Sequence, residues 1–313
     1  MKIRGWFVSV CVSILMVSSV TAVSASEIGV AWAGKSGMAV RVATGFEQGM
    51  KELAPDIKIE YKKELGTMDE LVVVAGKWEK EKNGMVLLRS NAAEWLGKNP
   101  PAIPTFIGGC NNPMELGAVK DLQAPEGNIT GVTYYLPVDT QFDIFQAIIP
   151  DLKSVLLLLG NGNPSAPIDQ AATKAVCEKR GIEYNETLCV TTEDAIAAVN
   201  QFKGKVSIII IGNQSLNIDN AENIVKAAGN TPVLSYSSKP VNAGALGGFV
   251  ADDTKLGYML AESVVAVFKN GKAIKEVAVK VDPEPKFYIN ARTAEALKID
   301  IPFAILETAT VIQ

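Results

Sequence analysis

The chain has 313 residues, a formal net charge of -4 and no histidine. This length exceeds what one hydrophobic core usually serves, so we expect two lobes of about 100 to 150 residues each, with a cleft between them. The acidic balance and the lack of a clustered lysine and arginine face argue against nucleic acid as a partner, and the absence of histidine excludes Ser-His-Asp triads and histidine-ligated metals.

The amino terminus has the pattern of an export signal. Two basic residues in 1–4 precede an apolar run over 6–20, and the small residues Val23-Ser24-Ala25 follow it. A run of about 15 apolar residues is shorter than the roughly 20 that span a bilayer, and small residues at its end are what a signal peptidase reads. We therefore predict a cleaved signal peptide at residues 1–25 and a periplasmic mature protein.

After the signal, strand-like apolar runs alternate with amphipathic helical patterns, of which the first covers 38–53. This alternation is typical of βαβ units in an α/β fold. Continuous apolar runs, such as 156–159 and 208–211, suit strands that are buried on both faces of a parallel sheet. The predicted strands are 28–32, 57–61, 85–88, 103–107, 155–159, 184–190, 206–211, 232–235 and 245–249.

Start and stop signals frame several of the predicted helices. Thr191 and Asp194 have the spacing of a capping box ahead of the apolar positions of 195–202. Gly181 and Gly271 each follow basic or polar residues at the end of a helical pattern, where glycine commonly stops a helix. Helices of this length fit the crossovers between parallel strands.

Polar residues follow four of the predicted strands, at 89–91, 108–113, 160–165 and 212–215. In open α/β sheets, ligands bind beyond the carboxyl ends of the strands. Asparagine, serine and glycine at these positions also make turns and helix caps, so one such loop does not identify a site. Four of them together predict a polar site of the size of a small solute.

Three cysteines follow the predicted cleavage site: Cys110, Cys177 and Cys189. An oxidising compartment permits a disulfide. Cys177 lies near the end of a predicted helix and Cys189 on the strand that follows, so a bond between them is geometrically possible. Three buried free thiols are the alternative.

Several short motifs follow one another along the chain from about residue 100 onward. They are Asn112-Pro113, 125–132, 244–246, 270–272 and Ile301-Pro302. In these motifs the chain resembles a family of ABC transporter substrate-binding proteins, which includes tryptophan- and tyrosine-binding members. Ser90-Asn91-Ala92 stands where many relatives have a Thr-containing turn, and Asn112 replaces an aspartate, so the resemblance does not carry over the identity of the solute.

The resemblance implies a type I periplasmic binding protein, in which two Rossmann-like lobes joined by three crossover strands close around a ligand. The implied partners are a small-molecule solute and ABC permease subunits in the membrane, and we expect a monomer without cofactor or metal. The crossovers are expected near 131–134, 248–252 and 273–281. The expected lobes are 27–131 with 250–275, and 132–249 with 276–313.

Closure around a solute requires groups from both lobes to converge on it, because only differential affinity shifts the populations of open and closed states. The predicted contacts from the first lobe are Trp32, Ser36, Ser90, Asn91 and Asn111. Those from the second lobe are Tyr134, Asn161, Ser165, Asn213 and Tyr236, with Asp252 near a hinge.

An amino acid would place its two charged groups on different parts of such a site. Its carboxylate fits the helix amino terminus after Ser90 or after Ser165, and its ammonium fits Asp252 or Asp139. Two of the predicted contact residues have a second interpretation. Asp252 also suits the cap of the next helix, and Trp32 suits either stacking on a solute or packing in the core.

Two other function classes remain compatible with the sequence. A ligand-sensing subunit of a signalling system would use the same closure, and only neighbouring genes would separate it from an importer component. A secreted enzyme on a Rossmann-like scaffold is disfavoured, because the chain lacks histidine and has no phosphate-binding or dinucleotide-binding glycine motif.

Overall fold

The computed structural model describes residues 26–312, so the predicted signal peptide lies outside the described residues. The strands are β1 (Glu27–Ala33), β2 (Lys58–Leu65), β3 (Gly84–Leu88), β4 (Thr105–Gly108), β5 (Ile129–Thr133), β6 (Ser154–Gly160), β7 (Glu183–Cys189), β8 (Ile208–Ile211), β9 (Val233–Ser235), β10 (Gly247–Val250), β11 (Lys280–Val281), β12 (Lys286–Asn290) and β13 (Thr310–Ile312). The helices are α1 (Gly37–Leu53), α2 (Met68–Glu81), α3 (Ser90–Lys98), α4 (Val138–Ile148), α5 (Ala166–Arg180), α6 (Thr192–Phe202), α7 (Ser215–Asp219), α8 (Ala221–Ala228), α9 (Ser238–Asn242), α10 (Asp253–Phe268), α11 (Ala291–Leu297) and α12 (Phe303–Leu306).

A six-stranded parallel sheet forms the first lobe, in the order β2, β1, β3, β4, β5, β11. Helices α1 and α10 cover one face, where Val30, Phe46 and Leu260 pack in one core. Helices α2 and α3 cover the other face around Leu71 and Trp78. Burial of both faces explains the uninterrupted apolar sequence of strands such as β3.

Helix α10 comes from the second half of the chain, yet it packs on α1 in the first lobe. Two glycines allow the close approach: a Cβ added at Gly257 would lie 2.1 Å from the carbonyl oxygen of Val42, and one at Gly45 would lie 1.9 Å from that of Thr254. The contact therefore joins backbone to backbone.

A seven-stranded sheet forms the second lobe, in the order β7, β6, β8, β9, β10, β12, β13. Strands β6 to β10 are parallel to one another, whereas β12 and β13 run parallel to each other and antiparallel to β10. Helices α4 and α5 pack on one face and α6, α7 and α8 on the other. The predicted capping box at the start of α6 is confirmed: the Asp194 N–H donates to Oγ1 of Thr191 at 3.2 Å, and the Thr191 N–H donates to Oδ2 of Asp194 at 2.9 Å.

The two sheets share one winding pattern. In the first lobe β1 lies between β2 and β3, and in the second lobe β6 lies between β7 and β8. The chain thus reverses its direction of winding beside β1 and beside β6. In open parallel sheets the crevice at such a point, beyond the carboxyl ends of the strands, is where ligands bind.

Within the described part of the chain, three connections link the lobes, and they differ in part from the prediction. They are residues 134–137, 251–252 and 282–285. The prediction assigned 276–313 to the second lobe and a crossover to 273–281, and this is wrong because β11 pairs with β5 in the first sheet. Ile274 and Val279 are also buried in the two cores of the first lobe. Asp282, in the third connection, accepts a hydrogen bond of 2.8 Å from the N–H of Asp252 in the second.

The disulfide between Cys177 and Cys189 that the sequence left possible is not formed, and both residues are buried free cysteines, as is Cys110. Cys177 lies on α5 in the core of one sheet face, whereas Cys189 lies in the core of the opposite face. The sheet therefore separates the two sulfur atoms. The alternative of three free thiols is the one that the structure has.

No helix within residues 26–312 has the length and apolar character needed to cross a bilayer. The same residues contain no group of three or more Cys, Asp or Glu side chains placed to hold a metal ion.

Candidate functional site

A cavity of about 270 Å³ lies between the lobes, beyond the carboxyl ends of both sheets. The loops after β1 and β3 form its wall in the first lobe, and the loops after β6 and β8 form its wall in the second. These are the strands at the reversal of winding in each lobe. The predicted contacts that line this cavity are Ser36, Ser90, Asn91, Tyr134, Asn161, Ser165 and Asn213.

Two smaller cavities adjoin the main one. They contain the predicted contacts Asn111 and Tyr236, and they share Tyr134 and Asn213 with the main cavity. Nine of the eleven predicted residues are therefore brought together in one cleft, although their side chains come from seven different segments.

Trp32 and Asp252 do not line these cavities. Trp32 is 1% exposed and packs in the core of the first lobe. Asp252 caps α10 by accepting hydrogen bonds from the N–H groups of Thr254 and Lys255 at 2.9 and 3.0 Å. Asp139, the other carboxylate suggested for an ammonium, pairs at the surface with Lys179 at 2.7 Å and with Arg180.

Asp169 is a buried carboxylate of the cleft, and the sequence analysis missed it. It lies in the first turn of α5 and is 4% exposed. Its oxygens accept hydrogen bonds from Asn111 Nδ2 at 2.9 Å, the Asn213 N–H at 2.8 Å and Gln214 Nε2 at 2.7 Å. No cationic side chain among residues 26–312 lies within ion-pair distance of it.

The charge of Asp169 is therefore solvated by neutral donors alone. Burial raises the pKa of this carboxyl above its usual value, and the hydrogen bonds from Asn213, Gln214 and Asn111 offset part of that effect. A buried carboxylate without a cation costs several kcal/mol relative to water. A cationic group on a bound solute would supply the missing counter-charge.

Asn213 has an oxygen with an unused acceptor. Its Oδ1 is buried and has no hydrogen-bond partner, while its N–H is bonded to Asp169. A buried unpaired acceptor costs about 1–3 kcal/mol. Because Asn213 lines the main cavity and both smaller ones, a donor on a solute in the cleft can satisfy this oxygen.

Two buried tyrosines complete the cleft. Burial raises the pKa of Tyr134, and the neighbouring Asp169 carboxylate raises it further. The hydroxyl of Tyr236 lies 2.7 Å from Oγ1 of Thr173, and burial also raises its pKa. Both hydroxyls therefore stay neutral and can act as hydrogen-bond donors or acceptors beside an aromatic surface.

Among residues 26–312, Arg89 is the one charged side chain that lines the main cavity, and the sequence analysis did not nominate it either. It precedes α3, and one of its guanidinium nitrogens donates to the carbonyl oxygen of Ala33. Burial lowers the pKa of the guanidinium from a value so high that the group stays charged. The cleft thus has a cation in the first lobe and a carboxylate in the second.

A family model described as ABC transporter substrate binding protein matches residues 29–312. The chain belongs to this family of ABC transporter substrate-binding proteins. A tyrosine-binding protein of Clostridioides difficile is 24% identical over 254 residues, which cover 80% of this chain and 73% of that one. The two-lobed α/β fold expected from the sequence is confirmed by the sheets themselves and by the structural neighbours of this substrate-binding protein.

Two solved structures illustrate this likeness in fold. The ABC domain of Streptococcus pneumonia in complex with L-Trp has a TM-score of 0.81 and 23% identity, with 92% of this chain and 100% of that chain covered. A conserved domain protein of Vibrio cholerae has a TM-score of 0.80 and 24% identity, with 92% and 99% covered.

Proposed function

We propose that this substrate-binding protein is the extracytoplasmic solute-binding component of an ABC importer and that its solute is an amino acid held in the cleft. Residues 1–25 then direct export to the periplasm. The closed protein delivers the solute to permease subunits in the membrane, and the cleft binds the solute without chemical conversion.

The observation that carries the proposal is that both lobes contribute polar groups to the cleft. Ser90 and Asn91 come from the first lobe, and Ser165 and Asn213 come from the second. The hydrogen bond from Asn111 to Asp169 joins the two lobes directly. A solute that contacts both sets of groups stabilises the closed state over the open state, which is the requirement for closure upon binding.

The chemistry of the cleft supports an amino acid as the solute. Asp169 and the unpaired Oδ1 of Asn213 provide acceptors for an ammonium group. Tyr134 and Tyr236 line an adjoining cavity and provide aromatic surface for a flat or apolar side chain. A cavity of about 270 Å³ suits a molecule smaller than the drug-sized ligands that occupy larger pockets. Tyrosine and L-Trp, the amino acids in the names of two similar proteins, belong to this class.

The test is a thermal-shift screen of the purified mature protein against the twenty standard amino acids, with neutral sugars as the control set. An amino acid at about one hundred times its dissociation constant is expected to add about 2.7 kcal/mol of stability, whereas the sugars leave the melting temperature unchanged. Stabilisation by sugars alone, or turnover of a bound compound, would contradict the proposal.

A further inference from the structure

We infer that Arg89 selects for a carboxylate on the solute, so that the cleft accepts zwitterions and rejects amines and neutral polyols of similar shape. This inference rests on the proposed function, because it names the class of solute that the same cleft takes.

The guanidinium of Arg89, a residue that lines the cavity, has unused donors. It has five N–H groups, and in residues 26–312 its one side-chain hydrogen bond goes to the carbonyl of Ala33. Arg41 and Arg180, in contrast, are each paired with an aspartate of the protein. A solute carboxylate is the natural partner for the remaining fork of donors, because it accepts two parallel hydrogen bonds in one plane.

The backbone at Arg89 gives a second, independent reason. Its φ is 85° and its ψ is 158°, a region that is essentially restricted to glycine. Glu64 and Lys298 also have positive φ, at 52° and 56°, but these values belong to the left-handed helical region that other residues do visit. Arg89 is therefore the strained non-glycine residue of the cleft.

Main-chain bonds fix this conformation whatever the side chain. The Arg89 N–H donates to the carbonyl of Gly108 at 2.8 Å, and its carbonyl accepts from the N–H of Ala93 at 3.2 Å. Glycine would adopt the same backbone without strain. An arginine at this position has the backbone strain that glycine would avoid, and it places a cation at the cavity.

The neighbouring loop leaves space for the guanidinium. A Cβ added at Gly34 would lie 2.8 Å from Nη1 of Arg89. The hydrogen bond to Ala33 holds one edge of the guanidinium against the first lobe, and the absence of a side chain at Gly34 leaves room for it. The cation of Arg89 and the carboxylate of Asp169 then belong to different lobes, and a zwitterion can contact both.

The experiment compares the tightest-binding amino acid of the screen with its amide and with the amine that lacks the carboxylate, by isothermal titration calorimetry. Wild-type protein is expected to bind the acid about tenfold to a hundredfold more tightly than the amide. Arg89→Ala is expected to lose that preference and to keep its affinity for the amine. Arg89→Lys retains the charge without the planar fork and should lie between the two.

Two further variants separate recognition from structure. Arg89→Gly should lose the preference for the acid as Arg89→Ala does, yet melt at a higher temperature, because glycine relieves the strained backbone. Arg292→Ala removes an exposed arginine of α11 that has no ion pair within residues 26–312, and it should bind as wild type.

Equal affinity of the wild type for acid and amide, or an equal loss of affinity for all three compounds in Arg89→Ala, overturns the role of Arg89 and leaves solute binding intact. Failure of the wild type to bind any amino acid overturns the proposed function and this inference with it.

Discussion

The side-chain amide of Asn111, in the first lobe, donates a hydrogen bond of 2.9 Å to the carboxylate of Asp169, in the second lobe. Both residues are buried, at 1% and 4% exposure. This bond connects the two lobes across the cleft, and it joins the neutral amide of Asn111 to the charged carboxylate of Asp169. The balance between open and closed states therefore depends on the charge at position 111.

Asn111→Asp should shift the protein towards the open state and weaken solute binding by about tenfold or more, because two buried carboxylates would then face each other. Calorimetry measures the affinity, and small-angle X-ray scattering measures the expected increase in radius of gyration. Asn112→Asp adds the same charge at the adjacent position, whose side chain bonds the N–H of Met114 and not Asp169. If both variants change the affinity and the radius of gyration to the same extent, the Asn111–Asp169 contact does not control closure.

Solute affinity should fall as the solution is acidified. Burial raises the pKa of Asp169 above 3.8, so this carboxyl takes up a proton at a pH where an exposed aspartate is still charged. The neutral carboxyl no longer attracts an ammonium, and affinity is expected to decline as the pH falls through this raised pKa. Calorimetric titrations at successively lower pH measure the decline.

The matching control is Asp169→Asn, which has no carboxyl to titrate. We expect at least about tenfold weaker binding near pH 7 and a flatter pH profile. The raised pKa of Asp169 also determines how the stability of the solute-free protein changes with pH. The contribution of this group is fully present below its unfolded pKa of about 3.8 and is lost as the pH rises through the raised value. A wild-type affinity that stays constant on acidification would refute the assignment.

Two glycine-to-alanine substitutions should change stability in opposite directions. Gly257→Ala places a Cβ 2.1 Å from the backbone of α1 and should lower the free energy of unfolding by about 1–3 kcal/mol or more. Gly76→Ala, on α2, meets nothing within 4 Å and should raise it by about 0.5–1 kcal/mol. Urea denaturation measures both. Destabilisation by both variants to the same extent would show that the α1–α10 contact is not the cause.

The thiols of the mature protein should be unreactive until it unfolds. Burial raises the pKa of Cys110 to about 12 and those of Cys177 and Cys189 to about 11, so few thiolates are present at neutral pH. Titration with a thiol reagent without reductant should find three reactive groups after denaturation. A single reactive group would indicate that Cys177 and Cys189 pair after all.

Much of the fold follows from the sequence because most strands are buried and strongly apolar. All nine predicted strands occur, within two or three residues at most ends. Strands β5, β11, β12 and β13 are not among these nine, and two of them have weak signals. β5 contains Gly131, whose Cβ would lie 2.0 Å from the carbonyl oxygen of Ile107, and β11 has only two residues. Close packing at Gly131 depends on the neighbouring strand, which a local pattern does not reveal.

Asp169 and Arg89 were missed for different reasons. An acidic residue in the first turn of a helix ordinarily interacts with the helix dipole, and Asp169 has that position in α5. Its burial depends on Asn111, which is 58 positions away in sequence. Arg89 did have a local signal, since it follows the fully buried strand β3 directly, as Ser90 and Asn91 do.

A crystal structure of the mature protein with the best-binding amino acid tests the central claim most directly. We predict that the solute ammonium lies within about 3.2 Å of Asp169 and that the solute carboxylate faces the guanidinium of Arg89. A solute bound outside this cleft, or one in the cleft whose ammonium has partners other than Asp169, would contradict the claim.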